Sequence, residues 1–131
     1  MQRETILVVD DNAQVAEALV ALVRTLGYEA TAAYGGREAL EYVRALPTGL
    51  VLLDLQMPGI SGFDVLRALR ADPRLALLPV VLCTAAPTEL VREEAIRLGA
   101  QAFMAKEDAF DELERVLTRL FRGPVAKVAS A

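Results

Sequence analysis

Acidic side chains follow two apolar runs in this sequence. Asp54 closes the run Leu50–Leu53, and the pair Asp10 and Asp11 follows Ile6–Val9. Carboxylates brought close together repel one another unless a cation joins them or one of them takes up a proton. Mg²⁺ accepts a few carboxylate oxygens and readily takes a phosphate oxygen as a further ligand. The pattern predicts a Mg²⁺ site, a nucleophilic role for Asp54, or both.

A lysine and a threonine end two later apolar runs. Lys106 is one of only two lysines among 14 basic residues, and this bias towards arginine suggests that the position requires a slim point charge. Thr84 is followed by two alanines, which leave its hydroxyl uncovered. Taken alone, these residues have plain structural explanations: a solvated lysine, a strand threonine, a core aromatic for Phe103, and helix caps for the acidic pair. Five such features in order on one rim favour a functional site.

Short apolar runs alternate with longer stretches that carry apolar residues at helical spacing. This alternation predicts βα units and a parallel sheet, in which the carboxyl ends of the strands share one edge. The predicted strands are Thr5–Val9, Tyr28–Ala33, Leu50–Asp54, Pro79–Thr84 and Ala102–Ala105.

Capping and terminating residues mark the predicted helices. The first helix is expected to be capped by Asn12 and to end at Gly27, and the second is expected to span Gly36–Leu46. Ser61 with Asp64 forms a capping box at the start of the third helix, which ends at Asp72. The fourth helix lies between Thr88 and Gly99. The fifth is expected to begin near Glu107 or Asp108 and to bury Phe110, Leu113, Leu117, Leu120 and Phe121.

Right-handed crossovers then predict a three-layer α/β/α sandwich of five parallel strands with helices on both faces. The length of 131 residues suits one domain over residues 1–122, followed by a short flexible tail over 123–131. No internal repeat interrupts this order.

Composition excludes several functions. A net charge of −4 without a basic run argues against direct nucleic-acid binding, and no apolar run reaches the roughly 18–20 residues that span a bilayer. The start lacks the pattern of a signal peptide, and a single cysteine, Cys83, excludes an internal disulfide, so we expect a cytoplasmic location. The absence of histidine means that any phosphohistidine in the mechanism belongs to a partner.

The ordered motifs resemble the receiver domains of response regulators in bacterial two-component signalling. The resemblance extends over nearly all of Thr5 to Phe121. It implies a flavodoxin-like fold with strand order 2-1-3-4-5 and five helices. The motifs that carry it are Asp10-Asp11, Asp54-x-x-Met57-Pro58-Gly59-x-x-Gly62, Thr84-Ala85 and Gly99-Ala100-x-x-Phe103-x-x-Lys106.

The resemblance implies a role for each acidic residue. Asp54 would be the phosphoacceptor, taking a phosphoryl group from a sensor histidine kinase, a histidine phosphotransfer protein or acetyl phosphate. Asp11, Asp54 and the Gln56 backbone carbonyl would hold Mg²⁺ directly, and Asp10 would act mainly through bound water. The chain would assist only its own phosphorylation and dephosphorylation, and would not be an enzyme.

The resemblance also implies a switch. Lys106 would contact the phosphoryl group, Thr84 would hydrogen-bond to it, and Phe103 would follow Thr84 between outward and inward positions. The output surface would be the fourth helix, fifth strand and fifth helix, and it would bind a downstream protein. The chain would be a monomer or a weak homodimer that forms through the same surface. Neither nucleic acid nor membrane is an expected partner of this chain.

Glu107 departs from the family pattern, since receiver domains usually carry a proline in a cis peptide bond after this lysine. A cis bond without proline costs about 3–4 kcal/mol, so we expect a trans bond, a differently shaped loop and a shifted start of the fifth helix. Altered phosphorylation kinetics would follow, and the Glu107→Pro variant would test them.

Two other functions remain open. A receiver-like adaptor would keep the fold and signal by protein contact without phosphorylation, and Glu107 is consistent with it. A haloacid-dehalogenase-like phosphatase uses a similar set of residues, but it has a second aspartate two residues after the nucleophile, where this sequence has Gln56. Beryllofluoride binding distinguishes the adaptor, and turnover of small phosphate esters distinguishes the phosphatase.

Overall fold

Strands and helices alternate along the chain in a computed structural model that describes the backbone from residue 4 to residue 130 and the side chains from residue 4 to residue 121. The elements are β1 (Thr5–Val9), α1 (Ala13–Thr25), β2 (Glu29–Ala33), α2 (Gly36–Ala45), β3 (Leu50–Asp54), α3 (Gly62–Ala71), β4 (Val80–Thr84), α4 (Glu89–Arg97), β5 (Ala102–Ala105), a 3₁₀ turn (Lys106–Asp108) and α5 (Ala109–Ser130).

The five strands form one parallel sheet in the order β2-β1-β3-β4-β5. Successive side chains of a strand point to opposite faces, so Ile6 and Val8 enter one hydrophobic cluster while Leu7 and Val9 enter the other. The first cluster lies under α1 and α5, and the second lies under α2, α3 and α4. The predicted α/β/α sandwich with the flavodoxin-like strand order is therefore confirmed.

Three helices begin at the predicted capping residues. The Asn12 side chain accepts a hydrogen bond from the Val15 amide at 3.1 Å, and Ser61 with Asp64 forms the expected capping box of α3. Thr88 caps α4 by accepting from a backbone amide in its first turn. Each cap satisfies amides that the helix itself leaves free.

Three predicted boundaries were wrong by one residue. β2 begins after Tyr28, and β4 begins after Pro79. Leu46 lies outside α2 because its backbone is extended. These differences shorten the elements without changing their order.

Phe110 was predicted to be buried, and this was wrong, since 58% of the residue is exposed. The 3₁₀ turn Lys106–Asp108 precedes α5, which begins at Ala109, and the predicted Leu113 and Leu117 do face the sheet. Ala109, Leu113 and Leu117 are fully or almost fully buried, four residues apart. Phe110 follows Ala109 by about 100° around the helix, which turns it towards solvent.

The backbone of α5 continues to Ser130, through most of the segment predicted to be a flexible tail. The mobility of residues 123–131 stays a prediction, because their side chains lie outside the described residues. Among the described helices, none combines the length and the apolar character needed to cross a membrane.

Candidate functional site

Two buried carboxylates lie side by side where neighbouring strands end. Asp54 is the last residue of β3 and is 3% exposed, and Asp10 follows β1 and is 1% exposed. The positions of these two aspartates are fixed by β1 and β3, whose apolar residues are buried on both faces of the sheet. Oxygen atoms of Asp10, Asp54 and the exposed Asp11 lie within 4.8 Å of one another.

Lys106 reaches across the sheet to both buried carboxylates. Its Nζ lies 2.8 Å from Asp10 Oδ2 and 3.3 Å from Asp54 Oδ2. In the described part of the chain, no group donates a well-aligned hydrogen bond to the buried Asp10 Oδ2, although the ammonium is close to it. One ammonium therefore balances two buried carboxylates incompletely, and the third carboxylate adds further negative charge.

Backbone amides orient both carboxylates. The Asn12 amide donates to Asp10 Oδ1 at 2.9 Å, and the Gln56 amide donates to Asp54 Oδ1 at 3.3 Å. The Oδ2 atom of each aspartate is the one nearest Lys106. Our sequence reasoning missed both amides, because a backbone donor leaves no signal in residue type.

The pKa values record this imbalance of charge. Burial raises the pKa of Asp54, and the negative charge of Asp10 raises it further, against the opposing effects of Lys106 and the Gln56 amide. Burial alone would lower the pKa of Lys106, but its contacts with Asp10 and Asp54 outweigh burial and raise it. Lys106 is firmly charged, whereas the ionised Asp54 is less stable than in water.

Oxygen ligands of this kind suit a divalent cation. Three carboxylates supply only oxygen atoms, which hard cations such as Mg²⁺ prefer. The buried Asp10 Oδ2 has spare capacity to accept a hydrogen bond, and a further positive charge would relieve the repulsion that raises the pKa of Asp54. The cluster is therefore chemically suited to hold the ion.

Thr84 and Phe103 lie on the two strands beyond Asp54. In the parallel register Asp54 is opposite Cys83, and Thr84 is opposite Ala105, which places Thr84 and Lys106 at the same edge as the aspartates. The expectation of an uncovered Thr84 hydroxyl was wrong, since Thr84 is 1% exposed and its Oγ1 accepts a hydrogen bond from the Ala86 amide at 3.2 Å. Phe103 is partly buried against the cluster under α4.

The loop after Asp54 is closed by a glycine. The Gly62 amide donates to the Leu55 carbonyl at 3.0 Å. A Cβ at Gly62 would lie 2.7 Å from Leu55 Cα and would collide with the Asp54 carbonyl oxygen. The motif contained Gly62, but only the folded chain shows that the start of α3 presses on the backbone of Asp54.

Glu107 lies exposed in the 3₁₀ turn that joins β5 to α5. All described peptide bonds are trans, which confirms the expected trans bond after Lys106. Helix α5 begins at Ala109, slightly later than the predicted start near Glu107 or Asp108.

A model of the response regulator receiver domain family matches residues 6–118. The DNA-binding response regulator MtrA of Mycobacterium tuberculosis is 40% identical over 121 residues, which are 92% of this chain and 52% of that protein. The sensory transduction protein RegX3 of Mycolicibacterium smegmatis is 36% identical over 120 residues, which are 91% of this chain and 51% of that protein. The chain thus spans about half the length of these relatives.

Solved structures agree with this match. A response regulator receiver protein from Pseudomonas putida superposes with a TM-score of 0.85 at 31% identity, covering 91% of this chain and 98% of that one. A response regulator from Chloroflexus aurantiacus gives the same TM-score at 29% identity, covering 91% and 98% of the two chains. The chain therefore belongs to the response regulator receiver domain family of two-component signalling.

Proposed function

We propose that this chain is a phosphorylation-dependent switch in which Asp54 accepts a phosphoryl group from a sensor histidine kinase or a histidine phosphotransfer protein. One observation carries the proposal. Asp54 is a buried carboxylate at the ligand-binding edge of the sheet, with Lys106 Nζ 3.3 Å away and two further carboxylates within 4.8 Å. A buried aspartate without a catalytic or metal-binding role rarely sits among like charges.

The transfer is a substitution at phosphorus. An Asp54 oxygen forms a bond to the phosphorus atom of phosphohistidine, the P–N bond breaks, and the imidazole nitrogen leaves with the electron pair. The product is an aspartyl phosphate. Lys106 stabilises the negative charge on the equatorial phosphoryl oxygens, and the Gln56 amide holds the carboxylate in position. The chain contains no histidine, so the donor residue belongs to the partner.

Asp11, Asp54 and the Gln56 backbone carbonyl are the proposed direct ligands of Mg²⁺, with Asp10 acting mainly through bound water. When bound, the ion supplies positive charge to the phosphoryl oxygens. The support from this chain is the all-oxygen donor set, the buried Asp10 Oδ2 without an aligned donor, and the repulsion that raises the pKa of Asp54.

Thr84 and Phe103 are the proposed switch residues. The Thr84 hydroxyl, which accepts from the Ala86 amide before phosphorylation, would donate to the phosphoryl group and draw the following loop inwards. Phe103 lies on the adjacent strand and lines a groove of about 370 Å³ between α4, β5 and α5. The aspartyl phosphate carries roughly −1.5 to −2 of charge in place of the single carboxylate charge, and it adds acceptor oxygens that can bias such a loop between two arrangements.

The surface of α4, β5 and α5 is the proposed output surface, acting on a downstream protein or on a second copy in a weak homodimer. The net charge of −4 supports protein contact over direct nucleic-acid binding by this chain. The chain would catalyse nothing beyond its own phosphorylation and dephosphorylation.

Intact-mass measurement with acetyl phosphate and Mg²⁺ tests the proposal. We expect one phosphoryl group per chain, stable to acid and labile to base, and none in the Asp54→Asn variant. Asp111→Asn is the matched control, since Asp111 is an exposed carboxylate on α5. Binding of a partner without any phosphoryl incorporation would favour the adaptor, and repeated turnover of small phosphate esters would favour the phosphatase.

A further inference from the structure

Helix α4 is tied to α3 at its carboxyl end. The Arg70 guanidinium donates to the Leu78 carbonyl at 2.9 Å, to the Gly99 carbonyl at 2.8 Å and to the Gln101 Oε1 at 3.0 Å. Gly99 directly follows the C-cap of α4. Gln101 Oε1 also accepts from the Val80 amide at 2.7 Å, so one side chain of α3 joins the end of α4 to the starts of β4 and β5.

Gly99 is suited to this anchoring role. Its φ of +88° lies in the left-handed region, where glycine carries no steric penalty. A Cβ at this position would lie 3.2 Å from Arg70 Nε, so the absence of a side chain lets the guanidinium pack against the turn. The carboxyl end of α4 is therefore held by a fixed turn and by a charged donor.

A second arginine supports the same end. Arg67, one turn before Arg70 on α3, lies 3.3 Å from Glu94 of α4. The arginine and glutamate side chains are 51% and 30% exposed, so this ion pair contributes little beside the Arg70 hydrogen bonds. Both contacts lie in the carboxyl-terminal half of α4.

The amino-terminal end of α4 lacks such ties. Across the described side chains, the hydrogen bond from the Ala86 amide to Thr84 Oγ1 is the one that joins residues 85–93 to another element, and it leads to the candidate site and not to α3 or α5. Thr88 caps only its own helix, and Leu90 is 79% exposed. Val91 packs against the core by apolar contact alone. This loosely held end follows directly from Thr84 at the candidate site.

We propose that α4 is a lever held at Gly99 by Arg70, whose free end at Glu89–Arg92 moves with the loop after Thr84 when Asp54 is phosphorylated. The inference rests on the proposed function. A tilt about Gly99 changes the groove between α4, β5 and α5 most near Arg92 and least near Ala100. The output surface would therefore change shape near Arg92, while the part near Ala100 would keep its position relative to α3.

Hydrogen exchange on the unphosphorylated chain tests the anchored end. The Leu98 and Ala100 amides bond to carbonyls of α4, and we expect them to exchange more slowly than the Arg92 amide in the parent chain. Loss of the three Arg70 hydrogen bonds in Arg70→Ala should accelerate exchange at Leu98 and Ala100 by roughly tenfold to a hundredfold, with little change at Arg92.

Two further variants and one reference amide make this experiment specific. Arg70→Lys keeps the charge, but a single ammonium cannot span three acceptors, so it should resemble Arg70→Ala. Arg74→Ala is the matched control, because Arg74 is an exposed arginine near the end of α3 that lies beside Asp72. Exchange at the Leu52 amide of the central strand reports global unfolding and is used to correct the other rates.

Spin-label distances test the motion. Leu90→Cys and Ile96→Cys place a label near either end of α4, each paired with Ala18→Cys on the exposed face of α1. Cys83 is 2% exposed and does not compete for the label. With acetyl phosphate and Mg²⁺, the distance to Leu90→Cys should change while the distance to Ile96→Cys stays nearly constant. Both should change when Arg70→Ala is added.

The outcomes separate the lever from the proposed function. Equal exchange at both ends of α4 overturns the anchored end, whatever the state of Asp54. Equal displacement of both labels in a sample whose intact mass shows a phosphoryl group overturns the lever and leaves the proposed function standing. A sample that takes up no phosphoryl group contradicts the proposed function, and the phosphorylation-driven lever with it.

Discussion

The two edges of the sheet each hold a polar cluster, and the two clusters are satisfied to different degrees. At the carboxyl edge, two buried aspartates share the Lys106 ammonium, and Asp10 Oδ2 has no aligned hydrogen-bond donor among the described groups. At the amino edge, Arg70 donates to three oxygen atoms, and Gln101 links two strands through one of them.

The carboxyl edge is therefore the candidate ligand-binding site, and the amino edge is a cluster that holds the protein's own elements together. Buried charges in folded proteins are usually balanced, so two buried carboxylates that share one ammonium indicate a place where a further cation or ligand completes the arrangement. Two of the acceptors of Arg70 are backbone carbonyls, whose positions depend on the chain and not on a ligand. We therefore expect ligands to change the carboxyl edge and to leave the amino edge unaltered.

The largest expected effect is at the carboxyl edge. Gly62→Ala should lower the free energy of unfolding by about 3 kcal/mol, because the new methyl group collides with the backbone of Asp54 and Leu55. Urea unfolding measures the change. Gly35→Ala is the control, since a Cβ there meets nothing within 4 Å, and it should cost less than about 1 kcal/mol as a helix cap. Similar costs for both variants would contradict the close packing.

Mg²⁺ should stabilise the parent chain, and only through the carboxyl edge. At a concentration 100-fold above its dissociation constant, the ion should add about 2.7 kcal/mol, seen as a higher Tm. Asp11→Asn removes a proposed ligand without touching the contacts of Lys106, so most of this gain should disappear, whereas Arg70→Ala should retain it. An equal gain in Asp11→Asn would place the ion elsewhere.

Removing the amino-edge cluster should cost less. Arg70→Ala should lower the free energy of unfolding by about 2 kcal/mol, since three carbonyl-type oxygens lose their charged donor. Arg74→Ala, whose exposed ion pair with Asp72 has an N to O distance of 3.7 Å, should cost less than about 0.5 kcal/mol. Denaturant titration of both variants makes the comparison, and equal costs would show that the Arg70 contacts contribute no stability.

The smallest expected effect concerns the charge of Asp54 without Mg²⁺. Burial and then the charge of Asp10 raise the pKa of Asp54 in the folded chain above the ordinary value of 3.8. The contribution of this group to the free energy of unfolding is therefore fully present below pH 3.8, and it is lost as pH rises through the folded pKa. Asp54→Asn abolishes this loss. At pH 7 its Tm should exceed that of the parent by roughly 2–6 °C, and the difference should shrink on acidification. A lower Tm for the variant at pH 7 would show that the bond to Lys106 outweighs the repulsion.

Most of the fold was predictable because its signals are local. Asn12, Ser61 and Thr88 cap their helices through atoms only three residues away, and the strand Leu50–Asp54 is apolar along its whole length before the aspartate. Phe110 was wrongly placed because positions 109 and 110 both lie one helical turn before Leu113, and only the packed structure shows that Ala109 faces the sheet.

Residue types and their order were enough to determine the sandwich, the edge at which the site lies, and the aspartates, threonine and lysine that meet there. Only the tertiary structure decided how they share charge: which oxygen faces Lys106, which amide orients each carboxylate, and that Gly62 presses on Asp54. Hydrophobic periodicity is a property of short segments, whereas the contacts of Lys106 join residues far apart in the chain, and a backbone amide leaves no signal in residue type. The Arg70 anchor belongs to the second kind, since its partners lie up to 31 residues away.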